Sequence, residues 1–258
     1  MSRYSRAKKN YTSTVEGRRA VLESIRSDRE IKEIIIDEFI EHGPQIKEIN
    51  ILADKKKIYI KFLSKKNIEK LAHTKKHQGI IAVVADPIYS NIDDMLRLAS
   101  SRSELPLIVM LDGVQDPQNF GAVARNIDAS GAHGIVIPSR RSASISPGSI
   151  KASAGALEHI LVSREINLNS TINNLKSKGF IIVGLDSNCS NDYKNLNYSS
   201  PILIVAGSEN GGLSKVISKN CDYLVSLPMN GKISSLNVSV STGILLYHII
   251  DQRSLIKN

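Results

Sequence analysis

The sequence predicts an α/β protein, and two observations support this fold class. From residue 106 onward, apolar runs of five to seven residues alternate with helical spans. Such near-continuous apolar runs are typical of parallel strands in a sheet that helices cover on both faces. The front of the chain has β-branched runs between charged stretches, which indicates a separate, smaller α/β module. The five later runs are PLIVML (106–111), GIVIP (134–138), GFIIVGL (179–185), ILIVAG (202–207) and YLVSLP (223–228).

The front module is predicted to begin with a helix and to continue with three strands. Residues 14–42 have helical spacing of apolar residues, whereas KEINILA (47–53), KIYIKFL (57–63) and GIIAVVA (79–85) have the composition of strands. A proline break and mixed polarity over residues 86–104 predict a boundary and a connecting helix.

These patterns divide the chain into four parts. Residues 1–14 carry four basic side chains and no acid, without an apolar face, which predicts a basic flexible arm. A front domain at 15–86 and a linker at 87–104 follow. The main domain is predicted at 105–258.

Composition excludes several protein classes. A chain of 258 residues with 41% hydrophobic and 23% charged residues can bury a sizeable core, which predicts a folded, soluble protein. The run GILLYHII (243–250) is far shorter than the roughly 20 apolar residues that a membrane helix needs, so no membrane span is expected. Cys189 and Cys221 are too few for a disulfide framework, and we expect reduced thiols in a cytoplasmic protein.

Positive charge is concentrated in the front of the chain. The net charge is +9, and residues 1–103 hold 21 basic and 14 acidic side chains, against 13 and 11 in the remainder. A basic excess attracts phosphate backbones without regard to their sequence, although many basic surfaces are only solvated. Charge therefore permits a nucleic-acid partner and also permits a solvated surface.

Three loops after predicted strands have unusual composition, and ligands of parallel α/β sheets gather at such loops. In the first loop, Asn119 is a predicted helix N-cap. Arg125 and Asn126 follow it near a helix N-terminus, where anions are favoured. A capped helix with a surface arginine explains the same residues.

The second and third loops combine glycine with small hydroxyl side chains. SENGGL (208–213) follows Gly207 and holds one acid, Glu209, and its glycines would let a ligand lie against bare backbone. KISSLNVSVSTGILL (232–246) mixes strand alternation with helical spacing, and Asn237 is a candidate helix cap. This last segment is either an element of structure or part of a site.

Other catalytic motifs are absent or weak. The sequence contains neither G-x-G-x-x-G nor G-x-x-x-x-G-K-[ST] nor G-x-S-x-G. Ser153 lies in a helical pattern, where a structural role is expected. His73 and His77 have a spacing that suits a metal on a helix, but no third ligand accompanies them, so no metal site is expected. Turn chemistry explains Asp112 and Asp116.

Three segments, taken in order, closely resemble the three motifs of the SpoU-type (TrmH-like) RNA 2′-O-ribose methyltransferases of the SPOUT superfamily. The resemblance spans residues 106–250. At the front, VEGRRAVLESI (15–25) and HQGIIAVV (77–84) resemble the ribosomal-protein-like substrate-binding domain of the rRNA-modifying branch. The three motif segments are DPQNFGAVARNIDASGAHGIVIP, IVAGSENGGLSKVISKNCDYLVSLPM and GKISSLNVSVSTGILLYH.

The resemblance implies a fold, a methyl donor and a donor site. The implied fold is a SPOUT α/β trefoil-knot catalytic domain at 105–258, preceded by a small ribosomal-protein-like α/β domain at 15–86 that binds the RNA substrate. The implied methyl donor is S-adenosylmethionine (SAM), and the implied chemistry needs no metal. The implied cofactor-binding residues are Gly207, Leu227, Met229 and Leu236.

The resemblance also implies five catalytic residues, which are Asn119, Arg125, Glu209, Ser235 and Asn237. Transfer from a sulfonium needs in-line alignment of donor and acceptor and removal of the hydroxyl proton. The family mechanism makes Arg125 the base, yet a guanidinium normally stays protonated in proteins. A weaker hypothesis makes Arg125 a phosphate anchor that stabilises the developing alkoxide. Glu209 would orient Arg125, while Ser235 and Asn237 would fix the ribose and the loop.

Partners follow from the same resemblance. The protein is expected to be a homodimer that pairs through residues 237–252, although an ordinary core explains their apolar face equally well. The basic front domain would hold RNA by shape and phosphate contacts. A guanosine of large-subunit (23S) ribosomal RNA is the first expected target, tRNA the second, and an antibiotic-resistance methylation the third. A non-catalytic RNA-binding or ribosome-assembly factor on the same fold is the alternative of another class.

Overall fold

The structure, a computed structural model, forms two compact units. It describes residues 11–27, 29–41, 43–74, 76–209 and 211–256, so residues 1–10 of the predicted basic arm lie outside the described residues. The first unit comprises the chain up to residue 88 together with residues 145–159. The second comprises residues 89–144 and the chain from residue 160 onward.

The described residues contain ten strands and nine α-helices. The strands are β1 (Ser13–Glu16), β2 (Ile31–Asp37), β3 (Tyr59–Leu63), β4 (Ile80–Val84), β5 (Leu107–Asp112), β6 (Gly134–Pro138), β7 (Val162–Glu165), β8 (Ile181–Leu185), β9 (Ile202–Gly207) and β10 (Tyr223–Val225). The helices are α1 (Arg18–Arg26), α2 (Pro44–Lys55), α3 (Lys65–Leu71), α4 (Ile92–Ser101), α5 (Pro117–Ser130), α6 (Pro147–Ala152), α7 (Leu168–Ser177), α8 (Lys215–Asn220) and α9 (Val238–Ile256).

The first unit is built on a four-stranded sheet in the order β1-β4-β2-β3. Strand β4 runs antiparallel to both of its neighbours, and β3 runs parallel to β2. Successive isoleucines of β2 are buried on opposite faces of the sheet, because side chains alternate along a strand. Ile35 packs with Ile68 of α3 and Ile81 of β4 on one of these faces.

The structure corrects two sequence-based predictions in this unit. Residues 14–42, predicted to be helical, form β1, α1 and β2, because the β-branched run of β2 favours extended backbone. Residues 47–53, predicted to be a strand, lie in α2. This helix has Pro44 at its first position and buries Ile46 and Ile49 at helical spacing. The predictions for the other two front strands, β3 and β4, are correct.

A buried carboxylate holds the segment that contains His73. Glu16 is fully buried, and its oxygens accept the N–H groups of His73 (2.5 Å) and Thr74 (2.9 Å) and the Thr74 hydroxyl (2.5 Å). His77 accepts the N–H of Gly79 through Nδ1 at 3.1 Å. Both histidines follow the end of α3, so they do not share a helix face. No group of three or more potential metal ligands occurs in the described part of the chain.

The second unit is built on a six-stranded, all-parallel sheet in the order β10-β8-β9-β5-β6-β7. Ile108 and Met110 of β5 belong to one core cluster with residues of α4, α7 and α8. The intervening β5 residues Val109 and Leu111 are equally buried, as expected for a sheet that is covered on both faces. The predicted α/β class is confirmed, and the trefoil knot stays a prediction.

Strand β7 was not predicted from the sequence. Its four residues, VSRE, have one apolar side chain, Val162, and lack the apolar run that marks the other strands of this sheet. Backbone pairing with β6 makes these residues a strand, and it places the buried Ser163 beside Val136. The Ser163 hydroxyl is satisfied by donating to Glu165 Oε1 at 2.6 Å. The five predicted strands of this sheet are all present.

The compact units differ from the predicted contiguous division in two places. Residues 145–159, predicted inside the main domain, cluster with the first unit, and α4, predicted as part of the linker, clusters with the second. Ser153 is buried in this 145–159 segment, and its hydroxyl donates to the Ile150 carbonyl at 2.7 Å, which is a structural role. The predicted bounds of the functional domains stay a prediction.

Cys189 and Cys221 are both free thiols. Burial raises the pKa of the Cys221 thiol to about 12, so it stays protonated and unreactive at neutral pH. Within the described ranges, no helix has the length and apolar character needed to cross a membrane.

Candidate active site

Loops at the carboxyl edge of the parallel sheet line an open cavity of about 590 Å³. Because the strands are parallel, the loops after β8, β9 and β10 meet at one edge of the second unit. The cavity walls include residues 186–188 after β8, Gly207 at the end of β9 with residues 208, 209 and 211–213 after it, residues 226, 227 and 229 after β10, and residues 234–236 before α9. These are the second and third unusual loops of the sequence, together with the loop after β8.

The cavity brings together the residues predicted to bind the cofactor. Glu209 and Ser235, two of the predicted catalytic residues, also line it. Its charged lining residues are two acids, Asp186 and Glu209, and one base, Lys215, so its walls carry a net negative charge in a protein of net charge +9. The four predicted cofactor-binding residues that line it are Gly207, Leu227, Met229 and Leu236.

Gly207 is required by the shape of the loop itself. A Cβ atom at Gly207 would lie 2.1 Å from the carbonyl carbon of Gly212 and 2.4 Å from the Leu213 nitrogen. The loop turns back so tightly because Ser208 and Gly212 exchange two backbone hydrogen bonds of 3.1 and 2.8 Å. The expected reason for glycine was close approach of a ligand, whereas here it is close approach of the protein's own backbone.

Helix α5 begins three residues earlier than predicted. Asp116 is its N-cap and accepts the N–H of Gln118 at 3.0 Å, while Pro117 occupies the first helical position, where an N–H would have no partner. Asn119 is therefore inside the helix, and the prediction that it is the N-cap is wrong. This leaves the buried side-chain amide of Asn119 available for a tertiary contact.

Asn237 connects the three loops through its side chain. Its Nδ2 donates to Asn119 Oδ1 at 2.8 Å and to Glu209 Oε1 at 2.6 Å. Its Oδ1 accepts the N–H of Ser239 at 2.9 Å, which caps the start of α9. This explains why residues 232–246 combine strand alternation with helical spacing. Asn237 starts α9 and also bonds to Asn119 and Glu209.

Arg125 lies in the third turn of α5, and its side chain is exposed. No hydrogen bond or ion pair joins its guanidinium to another residue that the structure describes. Glu209, predicted to orient Arg125, instead bonds to Asn237. The structure therefore places Arg125 outside the hydrogen-bonded group of Asn119, Glu209 and Asn237.

Sequence reasoning missed the wall of the cavity that follows β8. Asp186 and Asn188 line the cavity, and the Asn188 N–H donates to Asp186 Oδ1 at 2.9 Å. One sequence feature could have indicated this loop, because it follows an apolar strand as the other two loops do. The loop itself contains neither glycine nor a known motif. The contact between Asn126 Nδ2 and the Ser239 carbonyl (2.6 Å), which ties α5 to α9, was also missed.

Comparison with known families decides the assignment. Residues 106–247 match the family model described as the SpoU rRNA Methylase family. Residues 14–90 match the model described as RNA 2′-O ribose methyltransferase substrate binding. The chain belongs to the SpoU rRNA methylase family. The predicted family and the predicted enzyme class are thereby confirmed.

Relatives of this SpoU family member cover nearly its whole length. YacO of Bacillus subtilis (strain 168), named for the TrmH family of tRNA/rRNA methyltransferases, is 38% identical over 240 residues, which are 93% of this chain and 96% of YacO. A protein of the same family name from Staphylococcus saprophyticus is 38% identical over 242 residues, 94% of this chain and 96% of its own. The SpoU methyltransferase AviRb from Streptomyces viridochromogenes, crystallised in complex with AdoMet, has a TM-score of 0.77 at 24% identity and matches 94% of this chain and 90% of AviRb. This structural likeness shows a shared fold.

The cavity of this SpoU family member fits SAM, the predicted donor. Its volume lies within the range of roughly 300–1,000 Å³ that small-ligand sites have. Leu227 and Leu236 provide apolar surface that suits an adenine, and neighbouring serines provide hydrogen-bonding groups for a ribose. Asp186 and Glu209 place negative charge where a cationic sulfonium would be attracted.

Two substitutions of Asn237 are expected to separate its two roles. Asn237→Ala removes the cap of α9 and the bridge to Asn119 and Glu209, so we expect a stability loss of about 1 kcal/mol together with loss of methyl transfer. Asn237→Asp keeps the capping oxygen for Ser239 but replaces the donor by a carboxylate facing Glu209. We expect it to retain most of the stability and to lose methyl transfer by at least about tenfold, because the loops shift. Thermal unfolding and transfer of a labelled methyl group measure the two effects, and normal transfer by Asn237→Asp would refute the bridging role.

Proposed function

We propose that this protein transfers the methyl group of SAM to the 2′-hydroxyl of a specific ribose in RNA, with a guanosine of large-subunit (23S) ribosomal RNA as the first candidate. The observation that carries the proposal is the cavity at the carboxyl edge of the second unit. All four predicted cofactor-binding residues line it, and Asn237 joins Asn119 to Glu209, which is also a lining residue.

Methyl transfer requires alignment of the two reacting groups, stabilisation of the developing charge and removal of the hydroxyl proton. Bound SAM supplies a methyl group that is already activated on a sulfonium. The protein has to hold the ribose oxygen in line with that methyl group and to stabilise the negative charge that develops on the oxygen as its O–H bond breaks. As the oxygen–methyl bond forms, the sulfur–methyl bond breaks and leaves a neutral thioether, and the hydroxyl proton passes to water at the open side of the cavity. Acidic side chains in the cavity wall favour the cationic donor.

We assign Arg125 to the phosphate of the target nucleotide and to the developing alkoxide. Its guanidinium is exposed and has no partner in the described part of the chain, so it can present a fork of donors to a phosphate. In this role Arg125 acts as an electrostatic anchor and not as the base.

The remaining predicted catalytic residues act as positioning groups. Asn237 holds Glu209 and Asn119 in fixed places, which keeps the loop after β9 against the start of α9. Ser235 lines the cavity and is assigned to the ribose. These roles are consistent with their burial and contacts, because Asn119 is buried and Ser235 is exposed at the cavity.

We assign RNA recognition to the basic front domain at 15–86 and a cytoplasmic location to the protein. The match of residues 14–90 to a substrate-binding model and the excess positive charge of residues 1–103 support this role. Ribosomal RNA is preferred because the front segments resemble the rRNA-modifying branch.

We also propose that the protein is a homodimer that pairs through α9. Val240, Ile244 and Tyr247 are exposed apolar residues at i, i+4 and i+7 positions, so they lie on one side of the helix. A two-fold interface would cover this side. Sedimentation is expected to give a dimer for the wild type and a monomer for Ile244→Asp. A monomeric wild type at micromolar concentration would exclude this pairing.

The decisive experiment maps 2′-O-methyl groups in total RNA from cells with and without the gene for this protein. One ribose in 23S rRNA is expected to lose its methyl group in the absence of the protein. Purified protein with labelled SAM is then expected to restore that mark on RNA from the deletion strain. Unchanged methylation together with no binding of SAM would favour the non-catalytic RNA-binding factor.

A tRNA target is the second candidate, because the curated relatives carry names that include both tRNA and rRNA. The same map separates the two targets. Loss of a methyl group from tRNA with unchanged rRNA would assign the protein to tRNA.

A further inference from the structure

A cluster of arginines lies in the second unit outside the cavity. We define the arginine surface as Arg140, Arg141, Arg164 and Tyr89. The guanidinium carbon of Arg164 lies 4.9 Å from the centre of the Tyr89 ring, and its NH2 group donates to the Ser139 carbonyl at 2.9 Å. Arg140 and Arg141 are exposed in the loop after β6. None of the three arginines forms an ion pair with a carboxylate in the part of the chain that the structure describes.

The loop that carries Arg140 and Arg141 is anchored at both ends. The Ser139 N–H donates to the Glu165 carbonyl at 2.8 Å, which ties the start of the loop to the end of β7. The Ala143 N–H donates to the Val114 carbonyl at 2.9 Å, which ties its end to the loop after β5. Ala143 is also buried. The two arginines are therefore presented from a fixed loop.

The arginine surface lies on the same edge of the sheet as the cavity. The strand order β9-β5-β6-β7 places the end of β6 two strands, and the end of β7 three strands, from the cavity wall at Gly207. Neighbouring strands are about 4.8 Å apart, so the surface begins roughly 10–14 Å from that wall. This distance corresponds to a few nucleotides of an RNA strand.

Arginines elsewhere in the described part of the chain differ in their partners. Arg26, Arg29 and Arg97 form ion pairs, and Arg253 donates to four backbone carbonyls. The carboxylate of Glu165, the residue after Arg164, accepts hydrogen bonds from the hydroxyls of Ser163 and Thr171. Arg140, Arg141 and Arg164 have no carboxylate partner among the described residues, so their positive charges repel one another. A bound polyanion offsets this repulsion.

We propose that the arginine surface binds the sugar-phosphate strand that flanks the target nucleotide. Arg140 and Arg141 contact phosphates, and the plane of Arg164, held over Tyr89, stacks on a base. The inference rests on the proposed function, and it adds a contact close to the cavity that determines which nucleotide reaches the methyl donor. It is separate from RNA contacts made by the front domain.

The test compares the double variant Arg140→Ala/Arg141→Ala with the control Arg97→Ala/Lys219→Ala, which removes the same charge from other exposed sites of the second unit. The probe is 23S rRNA purified from cells that lack the protein, bound at several salt concentrations. We expect the double variant to lose RNA affinity by about tenfold, and the slope of log affinity against log salt to fall by about 1.4, because two phosphate contacts on a single strand are lost. The dissociation constant for SAM is expected to stay within about twofold of wild type, because neither arginine lines the cavity.

Several outcomes decide the inference. Arg140→Lys/Arg141→Lys is expected to restore the salt slope with part of the affinity, since it keeps the charge but not the fork of donors. RNA affinity and salt slope equal to the control overturn the proposal. Normal binding of purified RNA with loss of methylation in a cell extract would assign the surface to a protein partner and also overturn it. If the wild type binds RNA through this surface but transfers no methyl group, the proposed function fails while the surface assignment stands.

Discussion

Arg125→Ala is expected to lower kcat for methyl transfer by about 10²–10³-fold, the usual effect of removing one donor that stabilises a developing anion. The guanidinium is exposed and unpaired in the described structure, so its removal breaks no contact of the fold. Thermal stability and the affinity for SAM should therefore be unchanged. Single-turnover transfer of a labelled methyl group to RNA from a deletion strain measures the effect.

Two further variants make the Arg125 experiment specific. Arg125→Lys keeps the positive charge but loses the fork of donors, so we expect an intermediate rate. Arg97→Ala removes an exposed arginine from α4 of the same unit and should transfer normally. Near-normal transfer by Arg125→Ala would show that Arg125 is not part of the active site. It would overturn the proposed contact of Arg125 with the phosphate and the developing alkoxide.

Gly207→Ala is expected to abolish SAM binding and to destabilise the second unit. The added Cβ would lie 2.1 Å from the Gly212 carbonyl carbon, so the loop after β9 has to open. Opening this loop separates the two backbone hydrogen bonds between Ser208 and Gly212 and moves Glu209 away from Asn237. Overpacking of this kind costs about 1–3 kcal/mol. Calorimetric titration with SAM and thermal unfolding check both effects.

Gly231→Ala is the matched control for Gly207→Ala. It lies in the third motif, yet a Cβ there meets no heavy atom within 4 Å, and its backbone does not have a positive φ. We expect normal SAM binding and a slightly higher stability, because alanine restricts the unfolded chain. Tight SAM binding by Gly207→Ala would show that the loop adapts and that Gly207 is not required for the cavity.

The parallel sheet could be predicted because its signal is local. Strands such as ILIVAG are buried on both faces, so every position is apolar and the run is visible without knowledge of its neighbours. The failures occurred where burial depends on the partner element. Residues 47–53 contain Ile49 and Ile51 at strand spacing, and Ile51 is exposed. Only the burial of Ile46 and Ile49, which have helical spacing, decides for α2.

The residues that line the cavity were predicted in part, and their arrangement was not predicted. All four cofactor-binding positions and two catalytic positions came together at one cavity, because motif order fixed which strand ends they follow. Their mutual contacts were predicted less well. Glu209 was expected to bond to Arg125 and bonds to Asn237, and Asn119 was expected to cap a helix that Asp116 caps instead.

The sequence by itself determined the fold class, the family and the methyl donor, since each of these depends on local composition or on a short motif. The tertiary structure alone decided which side chains meet. Asn237 lies 118 residues from Asn119 and 28 residues from Glu209 in the chain, and both contacts exist only after parallel pairing has brought the loops to one edge of the sheet. A hydrogen bond requires the donor–acceptor distance to be correct to within a few tenths of an ångström. No local pattern specifies such a distance between atoms that are far apart in the sequence.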